Sequence, residues 1–360
     1  MRSVWLDTHQ VPAAAADEFV PGAHYDTVVA GAGLTGLTTA VLLARAGQRV
    51  AVLEARTVGA VTTGNTTAKL SLLQGTTLSQ IRRHHSEEVL RAYVEGNREG
   101  AAWLRRYLDE RGVPYQRRDA WTYATTSKGA ASLRKELEAA RAAGLHVNWT
   151  RDTELPYEVS GAITLPDQAQ FHPMEVLGAL AAELRERGGT LAEGVRITGA
   201  GIRSPLTVRT TEGPVRADRL VLATGIPVLD RGGYFAKVSP SRSYAMTYRV
   251  PGAPASIPAG MYITADTPTR TLRTVPAGEE ELLLVGGNDH VVGRSPSPRA
   301  AVDDLEQWTQ RHFPGAERTH VWSAQDYQSV GAVPFIGTLP RGGGGIYLAT
   351  GYNKWGMSNA

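Results

Sequence analysis

The run Tyr25-Asp-Thr-Val-Val-Ala30, followed by Gly31-Ala-Gly33-Leu-Thr-Gly36, restricts what this chain can fold into more than any other feature. The first six residues read as a short apolar strand. A helix follows from about Leu34 to Ala46 and stops at Gly47, a residue suited to the left-handed position that ends helices. Arg49-Val-Ala-Val-Leu53 is a second apolar strand. Strand, helix and strand fit within residues 26–54, the size of one βαβ unit. Neither strand alternates polar with apolar residues, which places both in a parallel sheet covered on both faces. Each glycine then has a task. Gly31 permits the tight turn, Gly33 lets the backbone approach a pyrophosphate, and Gly36 lets the helix pack closely on the strand. Leu34 and Thr35 open the helix, whose N-terminus offers free N–H groups and the positive end of its dipole to phosphates. Glu54 ends the second strand. A carboxylate there accepts hydrogen bonds from a ribose diol and repels a 2′-phosphate. Ala55 and Arg56 follow it.

The rest of the chain divides by pattern. A glycine- and threonine-rich loop spans about 57–67. Helical spacing of Val89, Leu90, Tyr93, Trp103, Leu104, Tyr107 and Leu108 predicts a helix over 86–111. Another is expected at 129–143. A third opens at His172-Pro173, with proline at the first helical position, and closes at Gly188-Gly189; His172 reads as a helix-start residue. Short strands run through 195–223. From about 237 to 300, Ser243–Val250, Gly260–Thr264, Arg270–Val275 and Leu282–Gly286 read as mostly antiparallel strands between Pro/Gly turns. A helix at about 303–312 and a strand at Ile346–Ala349 follow. Residues 1–21 read as an extended arm. The expected fold is α/β: a discontinuous Rossmann-like nucleotide-binding domain (22–82, 151–236 and 328–360) with an inserted, mainly antiparallel β-sheet substrate or cap domain (83–150 and 237–327).

Composition excludes several classes. The chain has no cysteine. That removes disulfides, a cysteine nucleophile, cysteine-ligated zinc or iron–sulfur centres and a cysteinyl flavin within these residues. The histidines show no metal-ligand spacing, so no metal is expected. The formal charge is only +3; the basic pairs are scattered, and the cluster Arg82-Arg83-His84-His85 reads as a solvated helix face rather than a nucleic-acid surface. Residues 27–44 carry no charge, but Gly31, Gly33, Gly36 and four threonines interrupt them, so no membrane span is expected. With no apolar N-terminal leader, a cytoplasmic location is expected.

Two further segments suit a dinucleotide. Asp218-Arg-Leu-Val-Leu-Ala223-Thr224-Gly225 is an apolar strand ending in a small turn that backbone and ligand can share. Thr350-Gly351-Tyr-Asn353-Lys-Trp-Gly356-Met357 leads from a strand into a helix start, whose N–H groups suit negative charge.

With these residues in view, the sequence resembles the FAD-dependent D-amino-acid oxidase-like family, which includes glycine and sarcosine oxidases. The resemblance covers nearly the whole chain. Val28–Leu37 with Glu54 is similar to that family's FAD fingerprint. Pro166–Pro173 is similar to the segment before its adenine-contacting strand, where the resemblance makes Val195 a backbone contact. Val333–Gly337 and Gly351–Met357 are similar to its C-terminal flavin signature. More narrowly, Thr63-Gly-Asn-Thr66-Thr67-Ala68-Lys69, Gln168–Pro173 and Thr350–Met357 resemble the subgroup carrying a C-terminal Rieske 2Fe–2S domain. The resemblance implies FAD as cofactor, a continuation beyond Ala360 and a Rieske domain or other electron acceptor there. These residues are then expected to be a fragment.

The resemblance also implies the chemistry: oxidation of the C–N bond of an amine or amino acid, with hydride transfer to flavin N5. No obligatory acid–base side chain is needed if the amine binds neutral. Candidates near substrate are Gln74, which follows the flavin-facing loop, Arg242, Tyr244, Tyr327, Tyr352 and Lys354; Arg270 and Arg273 are further carboxylate clamps, since guanidinium binds carboxylate bidentately. Two alternatives remain: a non-catalytic or electron-transfer FAD module, and an NAD-linked dehydrogenase.

Overall fold

The structure, a computed structural model, describes residues 1–14, 17–295 and 297–360. Two sheets organise it. The first has eight strands, with β1 (His24–Ala30) between β2 (Val50–Leu53) and β10 (Val215–Leu222). β7 (Thr190–Ala192) lies outside β2, and β17 (Ile346–Thr350) outside β10; all these pairings are parallel. β16 (Phe335–Thr338) adds an antiparallel edge to β17, and β8 (Ile197–Ala200) and β9 (Leu206–Thr210) form an antiparallel flap on β10. The expected βαβ unit is present: α2 (Leu34–Arg45) connects β1 to β2, and Gly47, with φ +83°, ends it. The helices at α4 (Glu87–Arg111), α5 (Ser127–Ala142), α6 (Pro173–Glu186) and α7 (Pro298–His312) fall close to their expected places.

The second sheet has nine strands, in the order β15 (Glu317–Ser329), β11 (Val238–Arg249), β14 (Glu280–Val291), β13 (Arg270–Ala277), β12 (Met261–Thr264), β4 (Tyr115–Ala124), β6 (Gly161–Phe171), β3 (Lys69–Leu70), with β5 (Asn148–Thr150) also on β6. Every pairing is antiparallel except β12 with β4. Side chains alternate along these strands. Tyr244, Met246, Tyr248 and Leu272 pack with Leu305 of α7. Ala245, Val275, Leu284 and Trp322 pack instead with Val4, Trp5, Leu34 and Leu37, toward the first sheet. The nine-stranded sheet thus has an α7 face and a face turned to the nucleotide-binding fold.

Two expectations need correction. Residues 161–171 were assigned with the nucleotide-binding segments, but β6 pairs with β4 from Tyr115↔Phe171 to Ala124↔Gly161 and belongs to the second sheet, as does β3 within 22–82. The N-terminal residues are no extended arm: α1 (Val4–Thr8) is a short helix capped by Ser3, and Ser3, Val4 and Trp5 are buried. Among the described residues no helix is long and apolar enough to cross a membrane.

Candidate functional site

The carboxyl ends of five adjacent parallel strands converge. Gly31 follows β1, Glu54 follows β2, Ala223-Thr224-Gly225 follows β10, Gly351 follows β17, and Glu193 follows β7. In open α/β sheets, ligands bind in the crevice outside these ends, where the connections diverge.

The glycine turn meets its steric demands. Gly31 has φ +101°, and a Cβ there would stand 2.6 Å from the Ala223 carbonyl oxygen. A Cβ on Gly36 would stand 1.9 Å from the Gly31 carbonyl oxygen, so helix and turn touch backbone to backbone. Gly33 differs: the nearest atom to its would-be Cβ is the Thr63 hydroxyl at 3.1 Å, and the side is otherwise open. That Thr63 hydroxyl accepts from the Leu34 N–H at 3.2 Å, the first amide of the dipole end. Thr35 bonds through its hydroxyl to Tyr352 at 3.0 Å. Glu54 accepts from the Ala32 and Arg56 N–H groups at 2.9 and 2.8 Å, which aims its carboxylate across the turn. Val195 is buried, and its N–H donates to the Glu54 carbonyl at 2.9 Å, leaving its own carbonyl to offer a base. Glu193, which sequence reasoning missed, accepts from the Val58 N–H at 2.6 Å and ties β7 to the loop after Glu54.

The Thr63–Lys69 loop crosses from this crevice to the second sheet. Thr66 accepts from the Ala68 N–H at 3.1 Å, and Ala68 takes φ +51°. Lys69 is buried; its ammonium donates to the Tyr262 carbonyl at 2.7 Å and to the Thr271 hydroxyl. Burial, and next the charge of Arg273, hold the Lys69 pKa well below the usual lysine range. Thr271 stands beside Gly286 on the face turned to the nucleotide-binding fold, and Thr67 approaches the same glycine.

The tail turn closes the crevice. Asn353 and Lys354 have φ +52° and +71°. The N–H groups of Asn353, Lys354 and Trp355 donate to Tyr327, Asp326 and Tyr352, so the amides expected to face negative charge are narrowed to those of Gly356 and Met357, at the start of α8 (Gly356–Asn359). Burial raises the Asp326 carboxyl above its ordinary range. The Lys354 ammonium lies 3.3 Å from Asp289. The Tyr352 hydroxyl joins the tail to α2 through Thr35, and burial raises its pKa to about 12.

The other substrate candidates have partners within the protein. Gln74 is buried with its amide engaged by Ser71, Asn97, Ser358 and Tyr93; it fastens α8 to α4. Arg242 and Tyr244 lie six and four residues before Tyr248 on β11 and so share its face, which packs on α7 around Tyr244 and Tyr248 and continues at its other end through Gln325, whose amide donates to the Tyr327 hydroxyl at 3.1 Å. Arg242 donates to Gln325 at 3.1 Å, and Tyr244 stacks against His290. The Arg242 Nε and the Tyr244 hydroxyl have no partner there. Tyr327, at the strand end, does reach the crevice: its ring lies 3.2 Å from where a Cβ on Gly225 would be. Arg270 donates to Asp304 and Asn288, both at 2.6 Å, on the α7 face. Arg273 is buried beneath the Thr63–Lys69 loop and donates only to carbonyls, so it is no carboxylate clamp. His172 starts α6 as expected.

The residues present fit a dinucleotide flavin. The open side of Gly33, the dipole end of α2, where only the Leu34 N–H is taken by Thr63, and the Glu54 carboxylate match a pyrophosphate and a ribose. Among the described residues no group of three His, Cys, Asp or Glu side chains is placed to hold a metal ion.

Comparison with known proteins agrees with this geometry. The chain is 28% identical over 339 residues to a putative Rieske 2Fe-2S iron-sulfur protein, YhfW, of Bacillus subtilis (strain 168), covering 93% of this chain and 66% of that protein. It thus spans just under two-thirds of that relative's length. The fold is similar to that of L-proline dehydrogenase from P. horikoshii (TM-score 0.77, 18% identity, 95% of this chain and 91% of that one). It is also similar to that of glycine oxidase from Geobacillus kaustophilus (TM-score 0.75, 21% identity, 94% and 91%). Residues 26–360 match the family described as FAD dependent oxidoreductase, DAO, and the chain belongs to that family of FAD-dependent oxidoreductases.

Proposed function

We propose that this chain oxidises the C–N bond of an amino acid or amine held between the Lys69 loop and the Lys354 turn, against the face of the nine-stranded sheet that looks toward the nucleotide-binding fold. The observation that carries this reading is that both segments are fastened to the nine-stranded sheet: the Lys69 ammonium donates to the Tyr262 carbonyl and the Thr271 hydroxyl, and the Lys354 ammonium pairs with Asp289 of β14. FAD, when bound, would supply the two-electron redox chemistry there. The chain's residues bind and orient. Gly33 and Thr35 would hold the pyrophosphate with backbone N–H groups, Glu54 the ribose, and Gly356 and Met357 the flavin end.

Lys69 has no carboxylate partner among the described residues, and burial disfavours its charge. A substrate carboxylate arriving beside it restores the charged form, since opposite charge favours ionisation. Lys354, paired with Asp289, presents no net charge of its own. An amine that binds neutral needs no further base. The amino-acid class is supported by the L-proline dehydrogenase and glycine oxidase among the similar structures. The relative YhfW supports a second reading of the electron acceptor: an iron–sulfur partner supplied from outside these residues, which hold no cysteine.

The test is anaerobic addition of a panel of amino acids and amines to the FAD-loaded protein. Bleaching of the flavin bands by a panel member supports the proposal, and slow reoxidation in air adds support for an external acceptor. Bound FAD that no member reduces leaves a non-catalytic FAD module. Bleaching by NADH alone points to nicotinamide-linked chemistry.

A further inference from the structure

Ser3, Val4 and Trp5 precede the nucleotide-binding strand by some distance, yet they are 0%, 2% and 1% exposed. They lie on the cofactor loop. The Gly64 carbonyl accepts from the Ser3 hydroxyl. The Asn65 carbonyl accepts from the Trp322 indole N–H at 2.8 Å. The Thr66 carbonyl accepts from the Trp5 indole N–H at 2.6 Å. The Thr67 and Ala68 carbonyls accept from one nitrogen of Arg273 at 2.9 and 2.7 Å. Consecutive carbonyls from Gly64 to Ala68 are therefore each held by a side-chain donor from a segment remote in sequence. Loop carbonyls ordinarily face water or neighbouring backbone.

The donors support one another. The Arg273 guanidinium lies 5.2 Å from the centre of the Trp5 ring, a cation–π distance. A Cβ on Gly64 would stand 2.8 Å from Leu6, so the N-terminal helix presses directly on the loop. Ala68 sits in the left-handed region, which a residue with a Cβ keeps only where its surroundings hold it. Arg273 grips the carbonyls of Thr67 and of Ala68 itself, and so supplies that hold.

We propose that Ser3, Trp5, Trp322 and Arg273 are positioning residues, a clamp that fixes Gly64–Ala68 in the conformation FAD requires, which makes the N-terminal segment part of the cofactor-binding apparatus. The inference rests on the reading of this loop as the cofactor loop. The clamp acts before any substrate arrives, so its signature is cofactor affinity.

The test is FAD titration of the apoprotein, followed by flavin fluorescence, alongside thermal unfolding of the same apoproteins. Trp5→Phe keeps an aromatic ring and loses the N–H donor. Ser3→Ala is the gentler second variant should Trp5→Phe fold poorly. Leu305→Ala removes buried apolar volume in α7, away from the loop. The clamp predicts that Trp5→Phe weakens FAD roughly tenfold, the scale of one buried hydrogen bond. Ser3→Ala weakens it in the same direction, and Leu305→Ala lowers Tm with wild-type FAD affinity. Wild-type affinity in both Trp5→Phe and Ser3→Ala would overturn the clamp. So would affinity losses that simply follow the Tm losses across all three variants. A wild-type chain that takes up no FAD would overturn the cofactor reading together with the clamp.

Discussion

The two faces of the nine-stranded sheet are built from the same strands but treat charge differently. Arg270 and Arg273 stand three residues apart on β13, and both are buried. On the α7 face, Arg270 meets the Asp304 carboxylate and lies over Trp308; strand and helix are joined by a neutralised pair. On the other face, Arg273 meets carbonyls only, and Lys69 beside it meets a carbonyl and a hydroxyl. Burial, with the Arg118 charge next, lowers the Arg273 pKa to about 9. A buried cation without a carboxylate is unfavourable for stability alone. The uncompensated pair lies against the Thr63–Lys69 loop, the cofactor loop under the proposed reading, whereas the compensated one lies against a packing helix.

That contrast can be broken most forcefully at the two arginines. Arg273→Met frees the Thr67 and Ala68 carbonyls and is expected to lower FAD affinity by tenfold or more, measured by titration of the apoprotein. Arg270→Met, of the same size, is expected to cost about 2 kcal/mol of stability in denaturant unfolding while leaving FAD affinity unchanged. Equal FAD losses in both would erase the difference between the faces. Lys69→Met tests the substrate side: FAD uptake persists, and KM for the substrate that bleaches the flavin rises by roughly tenfold, the scale of one charged hydrogen bond. Arg242→Ala, on the α7 face, is expected to leave that KM unchanged, and a rise comparable to that of Lys69→Met would return Arg242 to the substrate site.

The smallest expected effect is a pH dependence. His172 is half-buried among Trp5, His9 and Thr8, and burial, then the charges of His9 and Arg273, hold its pKa at about 4 against an ordinary 6.5. Between those values the unfolded chain binds a proton that the native chain refuses. Stability is therefore full above pH 6.5 and falls as the pH drops toward about 4. His172→Gln should flatten that acid limb in a series of Tm measurements; an unchanged limb would assign it to other groups.

The nucleotide-binding half was legible because its signals are local. β1, the glycine turn and α2 form a continuous pattern, and Gly47 and Gly351 both take the positive φ that punctuation by glycine implies. The second sheet was less legible. β4 carries Arg117 and Arg118 in mid-strand, β6 carries Pro166, and β15 is an edge strand with a polar sequence, so none shows clean alternation. Its substrate candidates were harder still. A one-residue shift moves a side chain to the opposite face of a strand, and no pattern in the sequence tells that Arg242 and Arg270 face α7 while Arg273 faces the loop. The N-terminal clamp was invisible for a different reason. Ser3-Val-Trp-Leu is too short to show a period, and its partners are the carbonyls of a loop some 60 residues away, a contact made by backbone geometry rather than by residue type.

The most direct test of the account is a crystal structure of this chain with FAD. The account predicts the pyrophosphate on the N–H groups of Gly33 and Thr35, the ribose on Glu54, and the flavin ring between the Thr67–Lys69 loop and the Gly356–Met357 turn, on the side of the nine-stranded sheet away from α7. A flavin ring bound on the α7 face beside Arg242 and Tyr244, or FAD bound away from the five strand ends, would contradict it.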